Sequence, residues 1–122
     1  MLYDPSKDYS PVGLNLLASA KYLEEHGHCK RVLEFEGKVC LQGALQAVIY
    51  GNPRAWEWLG DSDLKGKHKM MDSCLEALDK VKVLPSDNGT PLGRLVQWNN
   101  AQQTTGQDVI DLFREAANLC KA

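Results

Sequence analysis

The chain lacks any long apolar run. None of its 122 residues belong to a stretch approaching the roughly 20 consecutive apolar residues that a membrane-spanning helix requires. Residues 1–10 also lack the basic and then apolar layout of a secretory signal peptide. These two absences predict a cytoplasmic protein with no membrane partner.

Concentrated charge is missing as well. Fourteen basic and sixteen acidic side chains give a net charge of −2, and the charges are dispersed along the chain. Binding to a phosphate backbone needs a concentrated basic surface, so the composition argues against general nucleic-acid binding. The nearest basic cluster, Lys65, Lys67, His68 and Lys69, is interpreted as the solvated first turns of a helix.

Paired cysteines and common catalytic motifs are also absent. Cys29, Cys40, Cys74 and Cys120 form no CxxC motif, and without a secretory signal we expect reduced thiols. The chain has no glycine-rich phosphate loop, GxSxG or HExxH, which argues against nucleotide hydrolysis and against serine protease or metalloprotease chemistry. No cofactor is expected.

What the chain does contain is typical of a globular domain. Hydrophobic residues make up 43% and charged residues 25%, which suffices for a packed core. The length predicts a single domain over residues 1–122, with residues 1–9 as a polar leader. Two prolines and an Asn-Gly pair predict a mobile loop at residues 85–91.

Helical patterns cover most of the sequence. Ser10 followed by Pro11 predicts the start of a helix, and Gly27 predicts its end. Residues 41–50 are apolar nearly all round, which predicts a buried central helix. Thr105 with Asp108 three residues later resembles a capping box and predicts the start of the last helix.

A small β-hairpin is predicted near residues 31–40. Residues 32–35 and 38–40 have strand-like composition and flank Glu36-Gly37, where glycine permits a positive φ. The predicted fold class is α+β, mostly α, with about four main helices around the central helix.

Three segments together resemble one known family. They are residues 25–29, with His26-Gly27-His28, residues 37–45, and residues 98–110, which begin with Trp98-Asn99-Asn100. Their order and spacing resemble an uncharacterised domain family of actinobacteria and their phages. The resemblance implies one intact domain, located in the host cytoplasm if phage-encoded, and it implies no activity.

The chain departs from that family's pattern at three places. His28 stands where the family usually has tryptophan, Asn100 where it has aspartate, and Gln103-Thr104 where it has Gly-Arg. Because acidic and basic positions are among these departures, no charge-based chemistry is carried over from the family.

Cys40 is the strongest candidate for catalysis. It is predicted to lie where a strand meets the N-terminal end of the central helix, where the helix dipole lowers a thiol pKa. His26 or His28 would then serve as the base. The alternative is that Cys40 is a small core residue, because Leu41 and an apolar segment follow it.

A metal site is a second hypothesis for the same region. His26, His28, Cys29 and Cys40 carry imidazole and thiol groups suited to zinc. Their spacing differs from the tight ligand pairs of closed structural sites, so they are retained as candidates while no metal is predicted.

Tryptophans and asparagines supply the candidates for binding a ligand or partner. Trp98 offers a stacking surface beside the amides of Asn99 and Asn100, and Trp56 and Trp58 are of the residue type favoured at binding hot spots. The alternative is that Trp98 fills the core while the asparagines satisfy backbone groups.

Three functional hypotheses follow, the last of them a nucleic-acid effector, which would bind with a steep salt dependence. The first is a non-enzymatic binding or regulatory accessory protein that acts on a host protein or a small ligand, and the sequence is compatible with a homo-oligomer. The second is a small cysteine-dependent enzyme using Cys40 with His28.

Overall fold

Five helices and a two-stranded hairpin make up residues 8–55, 65–81 and 89–121, the part of the chain that the computed structural model describes. In chain order the elements are α1 (Pro11–His26), β1 (Glu34–Phe35), β2 (Lys38–Val39), α2 (Leu41–Tyr50), α3 (Lys65–Val81), α4 (Pro91–Asn100) and α5 (Gly106–Asn118). The predicted fold class, mostly α with a small hairpin, is confirmed. Trp56, Trp58 and residues 85–88 of the predicted mobile loop lie outside the described residues.

Side-chain caps fix where the helices begin. Ser10 Oγ accepts a hydrogen bond from the amide of Gly13 at 3.3 Å, and proline follows at the first helical position. Thr105 forms the expected capping box with Asp108, since each side chain accepts from the other residue's backbone amide. Both predicted helix starts are therefore confirmed.

The helix α4 begins at Pro91, the last residue of the predicted loop. Thr90 Oγ1 accepts from the amide of Gly93 at 3.0 Å, so Thr90-Pro91 repeats the arrangement of Ser10-Pro11. This cap makes the stretch after the loop a regular helix, and it brings the number of helices in the described residues to five.

A tight turn and a second backbone pairing shape the hairpin. Glu36 and Gly37 both have positive φ, 51° and 84°, as a two-residue hairpin turn requires. Glu34 pairs with Val39 across the antiparallel ladder, while the other edge of Val39 pairs with His28 in the parallel sense. The strands are shorter than predicted, although the amide of Cys40 still donates to the carbonyl of Leu33, at 3.4 Å, at the next position of the ladder.

The core lies between α1, α2, α3 and α5, and α4 contributes the buried Leu95 to it. Its largest fully buried side chains include Leu16, Leu41, Leu45, Met71 and Phe113. The first half of α2 is buried, while Tyr50 and its neighbours at the other end are only half-buried. None of the helices in the described ranges is long and apolar enough to span a membrane.

Gly43 permits a close approach between two backbone segments. A Cβ atom added to Gly43 in α2 would fall on the carbonyl oxygen of Leu33. The chain entering the hairpin therefore rests directly on the helix backbone, which fixes the hairpin against the N-terminal end of α2.

Candidate functional site

Asn99, near the end of α4, is almost completely buried and holds three separate segments together. Its Oδ1 accepts from the backbone amide of Leu41 at 3.1 Å and from Nε2 of His28 at 2.7 Å. Its Nδ2 donates to the carbonyl of Cys29 at 3.4 Å and to Oδ1 of Asn100 at 3.1 Å. Each polar atom of this side chain is thus bonded within the protein.

The next residue, Asn100, continues this network. Its Oδ1 accepts from the amide of Arg31 at 2.8 Å, and Arg31 has a φ of 72°, a conformation that non-glycine residues seldom adopt. Lys30 Nζ donates to the carbonyl of Ala101 at 2.5 Å. We call Asn99, Asn100 and their partners in residues 28–31 and at Leu41 the asparagine clamp.

The hairpin and the end of α4 meet around a small cavity. It has a volume of about 100 Å³, and Arg31, Leu33, Cys40, Asn99 and Asn100 are among the residues that line it. Segments 37–45 and 98–100, which carry the family resemblance, are therefore brought together by the fold.

Cys40 lies beside this cavity as the N-cap of α2. Its Sγ accepts a hydrogen bond from the amide of Gly43 at 3.3 Å, and its exposed fraction is 7%. Burial raises the pKa of the Cys40 thiol above its ordinary value, and this outweighs the lowering by the amides at the helix N-terminus. The expected activation by the helix dipole is thus overridden by desolvation.

The histidines proposed as partners of Cys40 are engaged elsewhere. The imidazole of His28 is bonded to Asn99, and Nδ1 of His26 contacts the carbonyl of Tyr22 at 2.9 Å while its ring stacks on that tyrosine. Among the described residues, the hydrogen-bond geometry gives Cys40 no histidine partner.

The metal candidates do not converge. Cys29 Sγ lies 3.5 Å from the carbonyl oxygens of Val32 and Lys38, while His26 and His28 contact other groups. Within residues 8–55, 65–81 and 89–121, no group of three or more His, Cys, Asp or Glu side chains is arranged to hold a metal ion.

Trp98 faces a different region, although it precedes Asn99 directly. It lines an open cavity of about 390 Å³ together with Val81, Asp108, Asp111, Leu112 and Glu115. Trp98 itself is half-buried and packs against the core. We call this the acidic cavity, because three carboxyl groups and none of the described basic residues line it.

The acidic cavity owes its charge to one face of α5. Asp108, Asp111 and Glu115 follow one another at spacings of three and four residues, which places them in a row along the helix. Asp108 closes the capping box, and Asp111 accepts from the side-chain amide of Gln107 at 2.8 Å. Leu112, between them, is buried and forms an apolar wall.

The sequence patterns point to Trp98 as a candidate for binding, but of the α5 carboxyl groups they point only to Asp108, as part of the capping box. Their spacing was the available signal, since a row of three acidic residues on one face is visible in the sequence. That Trp98 lies opposite this row depends on how α4 packs near α5, which the spacing does not report.

The fold and the two cavities together define a small, mostly helical α+β domain that carries a buried polar clamp beside an open acidic surface. The chain belongs to a family of unknown function, DUF6197, whose model matches residues 10–119. The match runs from the N-cap of α1 to the C-cap of α5. No curated protein and no solved structure matches the chain.

Proposed function

We propose that the protein is a non-enzymatic binding protein whose acidic cavity receives a cationic group of a protein partner or a small ligand. The observation that supports this function is the meeting of one indole and three carboxyl groups around about 390 Å³ of open space. A space of this size accommodates an extended basic side chain or a small organic cation.

The lining matches the chemistry of a guanidinium or ammonium group. Asp108, Asp111 and Glu115 attract positive charge, and the face of an aromatic ring adds a favourable interaction with a cation placed over it. Val81 and Leu112 offer apolar contact for the methylene groups that precede the charge in lysine and arginine.

The exposure of the carboxyl groups determines how strong this binding is. Asp111 and Glu115 are exposed, so the attraction is screened by water and salt. Affinity for a single cation is therefore expected to be weak, and it falls as ionic strength rises. A partner that presents a basic side chain next to an apolar one gains from both kinds of contact.

The proposal is tested by titrating isotope-labelled protein with arginine amide while recording backbone amide resonances. Citrulline amide has nearly the same shape and the same α-amino group but lacks the guanidinium charge, so it serves as the control ligand. We expect arginine amide to shift resonances around Trp98, Asp111 and Glu115, and citrulline amide to leave them nearly unchanged.

Matched variants locate the site. Glu115→Gln removes one charge from the cavity and is expected to weaken binding several-fold. Glu36→Gln removes the same charge from the exposed hairpin turn and should leave the affinity unchanged. Equal weakening by both variants, or equal shifts with citrulline amide, would contradict the proposal.

The cysteine-dependent enzyme is the second candidate. Its support is the position of Cys40 at the N-terminus of α2 beside the small cavity, and the raised pKa of the buried thiol weighs against it. Iodoacetamide labelling of the folded protein tests this function. A Cys40 that reacts no faster than the buried Cys74 would dismiss it.

A further inference from the structure

Two cysteines occupy neighbouring positions across a backbone pairing at the base of the hairpin. The amide of Val39 donates to the carbonyl of Gly27 at 2.9 Å, and the amide of Cys29 donates to the carbonyl of Val39 at 2.9 Å. These two hydrogen bonds pair His28 with Val39 in the parallel sense. Cys29 and Cys40 are therefore the next residues along the two paired segments.

This register brings the two Cα atoms within range of a disulfide. Paired segments lie roughly 4.8 Å apart, and disulfides join Cα atoms separated by about 4.4 to 6.8 Å. Cys40 still has extended backbone angles, with φ −89° and ψ −179°, so the pairing geometry persists to this residue. In parallel segments the side chains that follow a bridged pair leave on the same face.

The surroundings of the two thiols agree with this placement. Cys29 Sγ lies 3.5 Å from the carbonyl oxygens of Val32 and Lys38, and Cys40 Sγ accepts from the amide of Gly43, so an S–S bond requires both side chains to turn about their Cα–Cβ bonds. Burial raises the pKa of the Cys29 thiol, and the proximity of Cys40 raises it further. Cys29 is half-buried whereas Cys40 is buried, so an oxidant in solution meets Cys29 first.

We propose that Cys29 and Cys40 form a reversible disulfide when the protein meets a peroxide. The Cys29 thiolate attacks one oxygen of hydrogen peroxide and breaks the O–O bond, giving a sulfenic acid and hydroxide, which takes up a proton to become water. The Cys40 sulfur then attacks the Cys29 sulfur, forms the S–S bond and displaces the hydroxyl group, which leaves as water with the Cys40 proton. Two thiols are oxidised and one peroxide is reduced to two waters.

The cross-link would act on the asparagine clamp. It closes residues 30–39 into a covalent loop that contains the hairpin and its exposed Phe35. The same bond joins Cys29, whose carbonyl accepts from Asn99, to Cys40, which is the N-cap of α2. Oxidation therefore fastens the hairpin to α2 by a second means, and this inference does not depend on the function of the acidic cavity.

Peptide mapping tests the proposal directly. The folded, reduced protein is treated with hydrogen peroxide, the remaining thiols are alkylated, and trypsin then places Cys29 in residues 22–30 and Cys40 in residues 39–54. We expect these two peptides to appear linked, in monomeric protein, and to separate on treatment with dithiothreitol.

The other cysteines supply the controls. Cys74 and Cys120 fall in residues 70–80 and 115–121 and are expected to remain alkylated. Cys29→Ser and Cys40→Ser should each abolish the linked peptide, with circular dichroism confirming that the variants fold. A peroxide-treated protein in which Cys29 is oxidised singly, is joined to a second chain, or stays reduced would overturn the proposal.

Discussion

Asn99 and Trp98 are consecutive residues of α4 that face regions of opposite character. On the Asn99 side, each polar atom is bonded and the cavity measures about 100 Å³. On the Trp98 side, exposed carboxyl groups border about 390 Å³ of open space. One step along a helix turns the side-chain direction by about 100°, so a single helix end serves two purposes.

The difference between the two sides indicates that the Asn99 side mainly stabilises the fold, whereas the Trp98 side is the one suited to binding. A buried amide with four partners stabilises the fold, because removing it leaves its buried partners without a hydrogen bond. The carboxyl groups of Asp111 and Glu115 are exposed, and exposed charges contribute less to folding than a buried, fully bonded amide does. The predictions below test whether the two sides are as different as the contacts indicate, beginning with the largest effect.

Asn99→Ala is expected to lower the free energy of unfolding by about 3 kcal/mol. It leaves the amide of Leu41 and the carbonyl of Cys29 without their buried partner, and each such loss costs roughly 1 to 3 kcal/mol. Gln97→Ala, at an exposed position of the same helix, is the control and should change stability by less than about 0.5 kcal/mol. Urea denaturation measures the free energy of unfolding of both variants. Similar losses in the two would contradict the stabilising role assigned to Asn99.

Gly43→Ala is expected to cost about 2 kcal/mol, because the added methyl group meets the backbone of Leu33 and forces the hairpin away from α2. Gly66→Ala in α3 is the matched control. A Cβ at Gly66 meets no atom of the described residues within 4 Å, so alanine should stabilise the protein by about 0.5 kcal/mol. If the thermal unfolding midpoint shifts in the same direction for both variants, the close approach of Gly43 to Leu33 is refuted.

Thr105→Ala is expected to cost about 1 kcal/mol by removing the N-cap of α5. Thr105→Ser keeps the hydroxyl group and should stay within a few tenths of a kcal/mol of the native protein. Thr105 shares the capping box with Asp108, which lines the acidic cavity. The change therefore measures how much this part of the cavity contributes to the stability of the fold. Equal destabilisation by serine and alanine would argue against the capping box.

The smallest expected effect is a pH dependence near the start of α4. Arg94 donates to both carboxylate oxygens of Asp79, at 3.0 and 2.7 Å, and this pairing holds the pKa of Asp79 below its ordinary value. The stabilising contribution is complete above the unfolded pKa of about 3.9 and is lost as the pH falls through the folded pKa.

Asp79→Asn should remove that acid-dependent component, measured as the difference in unfolding midpoint between pH 6 and pH 3. The side chain of Asn99, by contrast, is an amide, which neither gains nor loses a proton between these two pH values. A difference in midpoint that persists unchanged in Asp79→Asn would show that other carboxyl groups produce it.

Local patterns in the sequence were sufficient for much of the fold. Ser10-Pro11, the capping box of Thr105 and the Glu36-Gly37 turn each depend on a few adjacent residues, and each occurs where the pattern predicts it. The Thr90-Pro91 cap was equally visible, yet nearby prolines and glycine led to its assignment to a loop.

Contacts between distant residues were beyond such patterns. His28 and Asn99 are 71 positions apart, and nothing near either residue indicates the other. The pKa of Cys40 illustrates the same limit, because the sequence reveals the helix N-terminus while burial, which depends on the whole fold, determines the direction. Whether Trp98 meets the carboxyl groups of α5 likewise depends on packing.

The asparagine clamp has a consequence for the order of folding. Synthesis of the chain proceeds from the N-terminus, so the hairpin and α2 leave the ribosome well before Asn99. Until α4 arrives, the amide of Leu41 and the carbonyl of Cys29 lack their partner. The hairpin and α2 are therefore made before the residue that completes their polar contacts, and a pause in synthesis before α4 would leave those contacts unformed.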